Sequence, residues 1–153
     1  MLRMREQYHV VYWEEPIDDA ITLDYLEIRE CDGIKVVVPH LQPRWSSEEK
    51  NERLAALVGD LTAGQSSIIR WYYTPMMLAF SQHVTARCTV YDCMDELSAF
   101  RFAPPELLNL ETKLLAIADV VFTGGYSLYE AKRTRHEYVL PFPSSVDVAQ
   151  RCC

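Results

Sequence analysis

An alternation of helix-type and strand-type patterns, starting at residue 47, constrains the fold of this chain most strongly. Helix patterns cover four segments: 47–63, 76–84, 104–117 and 127–135. Runs of β-branched and aromatic residues separate them: Ser67–Tyr73, Arg87–Tyr91, Asp119–Thr123 and Tyr138–Leu140. Strict alternation of this kind is typical of a parallel sheet with helices on both faces. The predicted fold class is therefore α/β, with a Rossmann-like, mostly parallel sheet.

The first part of the chain is richer in strand patterns. Tyr8–Trp13 predicts a strand, and Tyr25–Arg29 and Ile34–Val38 predict a β-hairpin around the turn Cys31-Asp32-Gly33. Ser46 has the character of a helix N-cap, with acidic residues in the turn that follows. A chain of 153 residues is of ordinary size for one core, so residues 1–153 are predicted to form a single domain.

The charge balance argues against a nucleic-acid partner. The net charge is −7, whereas phosphate binding requires a concentrated basic surface. A basic cluster does occur at Lys132, Arg133 and Arg135, and it is interpreted as cations that complement a helix C-terminus. No apolar run is long enough to span a membrane, and the first residues lack the apolar stretch of a secretory signal. A cytoplasmic location is expected.

The cysteines predict neither a disulfide framework nor a metal centre. The chain has five, an odd number at irregular spacing, and none forms a Cys-x-x-Cys pair. Cys88 and Cys93 are interpreted as small buried apolar residues. No metal ligand set is predicted.

Three acidic residues follow one predicted strand: Asp92, Asp95 and Glu96. Strands of a parallel sheet open at their carboxyl ends into a crevice, where such residues can hold a hydroxylated ligand or act as a general base. The alternative is a helix N-terminus, where carboxylates are also favoured. The pattern favours the helix terminus for Glu96 and leaves both interpretations open for Asp92.

A glycine pair connects the next strand to its helix. Gly124 and Gly125 would let the backbone approach a ligand, and Ser127 lies at the start of the helix. The alternative is a tight turn in which Ser127 is the N-cap. The aromatic residues belong either to the core or to a sugar-stacking surface; they are Trp71, Tyr72, Tyr73 and Phe80.

Six segments along nearly the whole chain resemble bacterial glycosyltransferases of the GT-B fold, in the glycosyltransferase 1/4-like group. They are Trp13–Pro16, Val37–His40, Trp71–Pro75, Tyr91–Glu96, Asp119–Phe122 with Ser127, and Pro143–Asp147. The last is similar to a Pro-Asn-Gly-Val-Asp segment that ends the family's N-terminal domain, with Ser144-Ser145 in place of Asn-Gly.

The resemblance implies that the chain is the N-terminal, acceptor-side half of a GT-B enzyme. Such an enzyme transfers a sugar from a nucleotide-sugar to a glycan or lipid acceptor, so the nucleotide-sugar is a substrate and no cofactor is implied. Asp92, Asp95, Glu96, Gly124, Gly125 and Ser127 would line the cleft. Asp92 and Asp95 are the candidates for orienting or deprotonating the acceptor hydroxyl.

The sequence departs from that family in ways that lead to a further expectation. Nothing matches the second domain that binds the nucleotide-sugar, and residues 148–153, with Cys152 and Cys153, do not continue the family pattern. We therefore expect a chain truncated at both ends that does not transfer sugar alone. The alternative function is a non-catalytic α/β binding module that pairs with a separately encoded catalytic subunit.

Overall fold

The computed structural model describes residues 4–96 and 104–142. The chain divides into two compact units, Met1–Ala63 and Gly64–Cys153, which are described here one at a time. The single domain over residues 1–153 stays a prediction. The Pro143–Asp147 segment and the tail 148–153 lie outside the described residues.

The first unit is built around one central strand. Its elements are a short 3-10 turn at Met4–Glu6, strands β1 (Val11–Trp13), β2 (Ile17–Asp18), β3 (Tyr25–Cys31) and β4 (Ile34–Leu41), and helix α1 (Ser47–Thr62). Strand β3 pairs antiparallel along the whole of β4, while β1 and β2 pair parallel with successive parts of it. Strand β4 is therefore hydrogen-bonded on both sides, and its residues Val37, Val38 and Leu41 are buried.

The hairpin between β3 and β4 follows from its turn residues. Asp32 has φ of 52° and Gly33 has φ of 73°, and Cys31 pairs with Ile34. Two consecutive positive φ angles define a type I′ turn, whose twist matches that of the flanking strands and for which Asp-Gly is a preferred pair. The predicted hairpin is confirmed, with both strands longer than predicted.

Helix α1 also begins where the sequence predicts. The Ser46 side chain accepts a hydrogen bond from the Glu49 backbone N–H, and the Glu49 carboxylate accepts one from the Ser46 backbone N–H. This reciprocal capping box satisfies two donors that a helix start leaves without partners. The helical spacing of Leu54, Leu57, Val58 and Leu61 predicts one apolar stripe, and Leu54 on that stripe is buried.

The second unit alternates helix and strand as the sequence predicts. Its elements are β5 (Ile69–Tyr72), a 3-10 turn (Pro75–Met77) leading into α2 (Leu78–Ser81), β6 (Cys88–Cys93), α3 (Leu107–Ile117), β7 (Val120–Thr123), α4 (Tyr126–Lys132) and β8 (Val139–Pro141). The four strands are parallel and lie in the order β5-β6-β7-β8. The α/β class with a parallel, Rossmann-like sheet is confirmed.

The two faces of this sheet carry different side chains. Alternate residues of a strand point to opposite faces. Tyr72, Tyr91, Val121 and Val139 share one row and pack with apolar residues of α2 and α3 in a buried core. The residues that alternate with these along each strand, among them Trp71, Asp92 and Phe122, belong to the opposite face of the sheet.

The sequence pattern of α3 predicts a core stripe of Leu107, Leu110, Leu114 and Ile117. Leu107 and Leu114 are buried as predicted, but Ile117 is 43% exposed, and Leu115 and Glu111 are buried as well. Residues 107, 111, 114 and 115 lie on one helical face, so the buried face is rotated relative to the predicted stripe. None of the helices in the described ranges is long and apolar enough to cross a membrane.

Candidate functional site

Asp92 is the second-to-last residue of β6 and lies on the sheet face opposite the helix-packed core. Its neighbours Tyr91 and Cys93 point into that core, which places Asp92 on the other face. The Trp71 indole Nε1–H, from the adjacent strand β5, donates a hydrogen bond of 3.2 Å to Asp92 Oδ2. The Asp92 side chain is thus half-buried and held in a fixed position by a neighbouring strand.

The pKa of Asp92 is raised above the ordinary value of an aspartic acid. Burial is the main cause because it disfavours the charged carboxylate, and the hydrogen bond from Trp71 opposes it. A carboxylate with a raised pKa is a better proton acceptor than an exposed one, which suits hydrogen bonding to a ligand hydroxyl or general-base catalysis.

Aromatic rings surround this carboxylate. The Trp71 and Phe122 rings stack with centroids 5.7 Å apart, and Phe122 meets Phe142 at 5.9 Å. Asp92 and Phe122 are direct partners in the register of β6 and β7. Phe142 is 68% exposed, so the surface formed by Trp71, Asp92, Phe122 and Phe142 reaches solvent. We call these four residues the aromatic–carboxylate surface.

Glu96 has a different set of partners from Asp92. Its carboxylate accepts hydrogen bonds of 2.8 Å and 3.1 Å from Lys132 Nζ. Lys132 also donates to Glu111 Oε1 at 2.7 Å, and the same oxygen accepts from the hydroxyl of Tyr91 at 3.1 Å. Because Tyr91 points into the helix-packed core, Glu96 is tied to the face opposite Asp92. The predicted acidic cluster is divided between two faces.

Opposite charges stabilise the ionised forms of the buried pair. Burial alone would raise the pKa of Glu111, but hydrogen bonds from Lys132 and Arg135 outweigh it and hold that pKa below its ordinary value. Burial alone would lower the pKa of Lys132, but hydrogen bonds to Glu111 and Glu96 raise it, and the net shift is upward. Lys132 is 1% exposed and Glu111 5% exposed, so both charges lie in the interior.

The predicted basic cluster lies at the C-terminal end of α4, and each of its cations also pairs with a carboxylate. Lys132 is buried in the network with Glu111, and Arg135 donates a 2.7 Å hydrogen bond to Glu111 Oε2. Arg133 pairs with Glu130 at 2.8 Å, one turn away. Each of the three cations is matched by a carboxylate of the same unit.

Asp95 is exposed, and its backbone carbonyl accepts a weak 3.5 Å hydrogen bond from the thiol of Cys93. The structure shows no side-chain hydrogen bond or ion pair from Asp95 to any described residue. Of the three predicted acidic residues, Asp92 alone is both half-buried and part of the aromatic–carboxylate surface.

The two glycines of the predicted pair have different surroundings. A Cβ on Gly124 would lie 2.8 Å from the Met94 carbonyl oxygen, and the Gly124 N–H donates to the Cys93 carbonyl at 3.0 Å. Gly124 is therefore required for the contact between the loops after β6 and β7. Gly125 is extended, with φ of −166°, and has open space where a Cβ would be.

Gly125 is also the N-cap of α4, so the predicted N-cap at Ser127 was wrong. Helix α4 begins at Tyr126, one residue before the predicted start, and Ser127 lies exposed in its first turn. No side chain caps this end of the helix. Ser127 is therefore a residue of the first helical turn and does not cap the helix.

Sequence reasoning did not identify the partners that define the site. The indole of Trp71 bonds a residue 21 positions later, and Glu111 and Lys132 are also 21 positions apart. Trp71 was recognised only as one aromatic among several. The available signal was register, because Trp71 lies near the carboxyl end of β5 and Asp92 near that of β6, the next strand along the chain.

Metal binding finds no support in the described part of the chain. No group of three or more His, Cys, Asp or Glu side chains there has an arrangement that could hold a metal ion. Comparison with known proteins adds no family: no protein-family model, no curated protein and no solved structure matches the chain.

Proposed function

We propose that this chain is the acceptor-side part of a glycosyltransferase and binds a glycan or glycolipid acceptor at the aromatic–carboxylate surface. The observation that carries the proposal is the placement of Asp92 beside Trp71 and Phe122, at the carboxyl ends of parallel strands. In open α/β sheets, ligands bind outside those strand ends. The likeness of six sequence segments to GT-B enzymes supports the same reaction class.

The chemistry of this surface suits a sugar ring. The C–H groups of a pyranose carry small positive charge and pack against the negative face of an aromatic ring such as Phe142. A carboxylate accepts hydrogen bonds from sugar hydroxyls, and these charge-assisted bonds are stronger than neutral ones. Asp92 with its raised pKa would orient an acceptor hydroxyl and accept its proton during transfer.

The test is to titrate neutral oligosaccharides into the full chain. Binding is measured by calorimetry and by the shift of the Trp71 indole N–H resonance. Wild type is expected to bind at least one oligosaccharide of the panel and to shift that resonance. Asp92→Asn is expected to weaken binding by about tenfold or more, since it removes a charged acceptor. Phe142→Ala is expected to weaken it as well.

Stability measurements separate lost binding from lost folding. The raised pKa of Asp92 means that its ionisation destabilises the folded state, increasingly as the pH rises from the ordinary aspartate pKa through the raised one. Asp92→Asn should therefore match or exceed the stability of wild type at neutral pH.

Tyr126→Ala is the matched control, because it removes an aromatic ring that is 71% exposed and lies on α4. Failure of every oligosaccharide to bind, or equal binding by Asp92→Asn, would contradict the proposal.

A further inference from the structure

The first unit contains a cleft whose chemistry differs from that of the aromatic–carboxylate surface. It has a volume of about 310 Å³ and is open to solvent. The segment before β3, the segment after β4 and one side of α1 form its walls. The lining includes Leu23, Asp24, Arg44, Trp45, Arg53 and Leu57.

Trp45 forms one wall of this cleft, and Asp24 fixes its position. Trp45 Nε1–H lies 3.1 Å and 3.2 Å from the two carboxylate oxygens of Asp24. Asp24 Oδ1 also accepts the backbone N–H of Gln42 at 2.9 Å. Asp24 is therefore occupied with structural hydrogen bonds, and the indole ring it fixes is half-buried.

Two guanidinium groups lie against that ring. The Arg44 Cζ is 4.5 Å and the Arg53 Cζ 4.8 Å from the Trp45 ring centroid, which are cation–π distances. Arg53 Nε is 3.8 Å from Asp24 Oδ2, so its terminal nitrogens are not part of that contact. Within the described residues, no carboxylate forms an ion pair with Arg44, and neither guanidinium donates a hydrogen bond.

Glu49 of α1 has hydrogen-bond partners of its own. Its carboxylate accepts hydrogen bonds from the backbone N–H and the hydroxyl of Ser46, which are the main reason that its pKa is lowered, and the charges of Arg53 and Arg44 lower it further. The cleft therefore carries two cations whose donors are open, while its one lining carboxylate, Asp24, already has several donors. The lining thus holds two guanidinium groups and one carboxylate, in a chain whose net charge is −7.

We propose that this cleft binds a small organic anion, a carboxylate or phosphate carried on a body about the size of a monosaccharide. Planar guanidinium groups donate paired hydrogen bonds to either group, and stacking on Trp45 fixes their orientation in advance. Leu23 and Leu57 supply the apolar wall against which the body of the ligand packs. A volume of about 310 Å³ is at the small end of the range for ligand pockets. This site is independent of the acceptor function proposed above.

The experiment compares three probes that share one ring: glucose 6-phosphate, glucuronate and glucose. Each is titrated into the full chain, with the indole N–H resonance of Trp45 as the local readout and calorimetry for affinity. At least one of the two anions is expected to bind about tenfold or more tightly than glucose, because only an anion pairs with the guanidinium groups. The ranking of the two anions identifies phosphate or carboxylate as the preferred group.

Matched variants assign the effect to the cleft. Arg44→Gln and Arg53→Gln are each expected to weaken anion binding by about tenfold. Arg29→Gln removes an exposed arginine of the same unit that pairs with Glu14 at 3.1 Å, and it should leave binding unchanged. Equal affinity for glucose and both anions, an unshifted Trp45 resonance, or wild-type binding by both cleft variants would overturn the proposal.

Discussion

Gly124 and Gly125 are adjacent in the chain, but the space around them differs. A methyl group on Gly124 would meet the Met94 carbonyl oxygen at 2.8 Å, a backbone atom that cannot rotate away. At Gly125 the same position is open, and the extended backbone there is accessible to every residue. The need for glycine is thus steric at one position and absent at the next.

Substitutions at these two positions should therefore have unequal effects. Gly124→Ala is expected to destabilise the chain by about 1–3 kcal/mol, the usual cost of forcing atoms into a packed site. Gly125→Ser should change stability by only a few tenths of a kcal/mol, because serine is at least as good an N-cap as glycine. Urea denaturation measures both. A stability for Gly124→Ala equal to that of Gly125→Ser would show that the loop after β6 yields without cost.

At the scale of elements, Lys132 joins three segments of the second unit. Its Nζ bonds Glu111 of α3 and Glu96 of the loop after β6, and the lysine itself ends α4. Both Lys132 and Glu111 are buried, so removing either one leaves the other with a single opposite charge, Arg135 for Glu111 or Glu96 for Lys132. Breaking a buried pair in this way costs far more than losing an exposed one.

Lys132→Met is expected to lower the free energy of unfolding by about 3–5 kcal/mol. The double variant Glu111→Gln/Lys132→Met should recover most of that loss, because it removes both charges and keeps similar volumes. Arg133→Met is the control on the same helix end. It breaks an exposed pair with Glu130 and should change stability by about 0.5 kcal/mol or less. A double variant no more stable than Lys132→Met would contradict this account of the network.

In the first unit, His40 connects β4 to two other segments. Its Nδ1 is 2.6 Å from Asp19 Oδ1 and its Nε2 3.3 Å from Glu27 Oε2, and the ring stacks on Tyr25 at 4.5 Å. Only the protonated imidazole donates from both nitrogens at once. The hydrogen bond to Asp19 is the main reason that the pKa of His40 is raised, and it outweighs the effect of burial.

The raised pKa makes stability depend on pH in a defined direction. The contribution of His40 is fully present below the ordinary histidine pKa and is lost as the pH rises through the raised value. The stability of wild type relative to His40→Gln, followed by thermal denaturation, is therefore expected to fall as the pH rises above the ordinary histidine pKa. His9→Gln, at an exposed position of the same unit, should show no such trend. A constant or rising difference would contradict the assignment.

At the scale of the whole molecule, the features predicted correctly from the sequence depend on local chemistry. The Asp32-Gly33 turn requires only its own φ angles, and the α1 capping box spans four residues. The strand–helix alternation of the second unit is equally local and was predicted correctly in order and direction. Strand β2 was missed because its two residues are a strand only through pairing with His40 and Leu41, more than twenty positions away.

The candidate site was less predictable because its contacts join distant parts of the chain. Asp92 was identified from its place after a strand, but the division of the acidic cluster between two faces depends on Lys132, which follows Glu96 by 36 positions. The cleft around Trp45 depends on Asp24, 21 positions earlier. Composition identifies such residues as polar or aromatic, but only the packed structure determines which of them meet.

The compensation of Glu111 by Lys132 has a consequence for how this sequence can change during evolution. A lineage that loses the lysine first passes through an intermediate in which the buried Glu111 carboxylate keeps only Arg135 as a cationic partner, and one that loses the glutamate first leaves the buried ammonium group with Glu96 alone. Both intermediates are poorly stable, whereas the paired replacement is not. Positions 111 and 132 should therefore covary among relatives of this chain, exchanging as a charged pair or an uncharged pair and rarely one at a time.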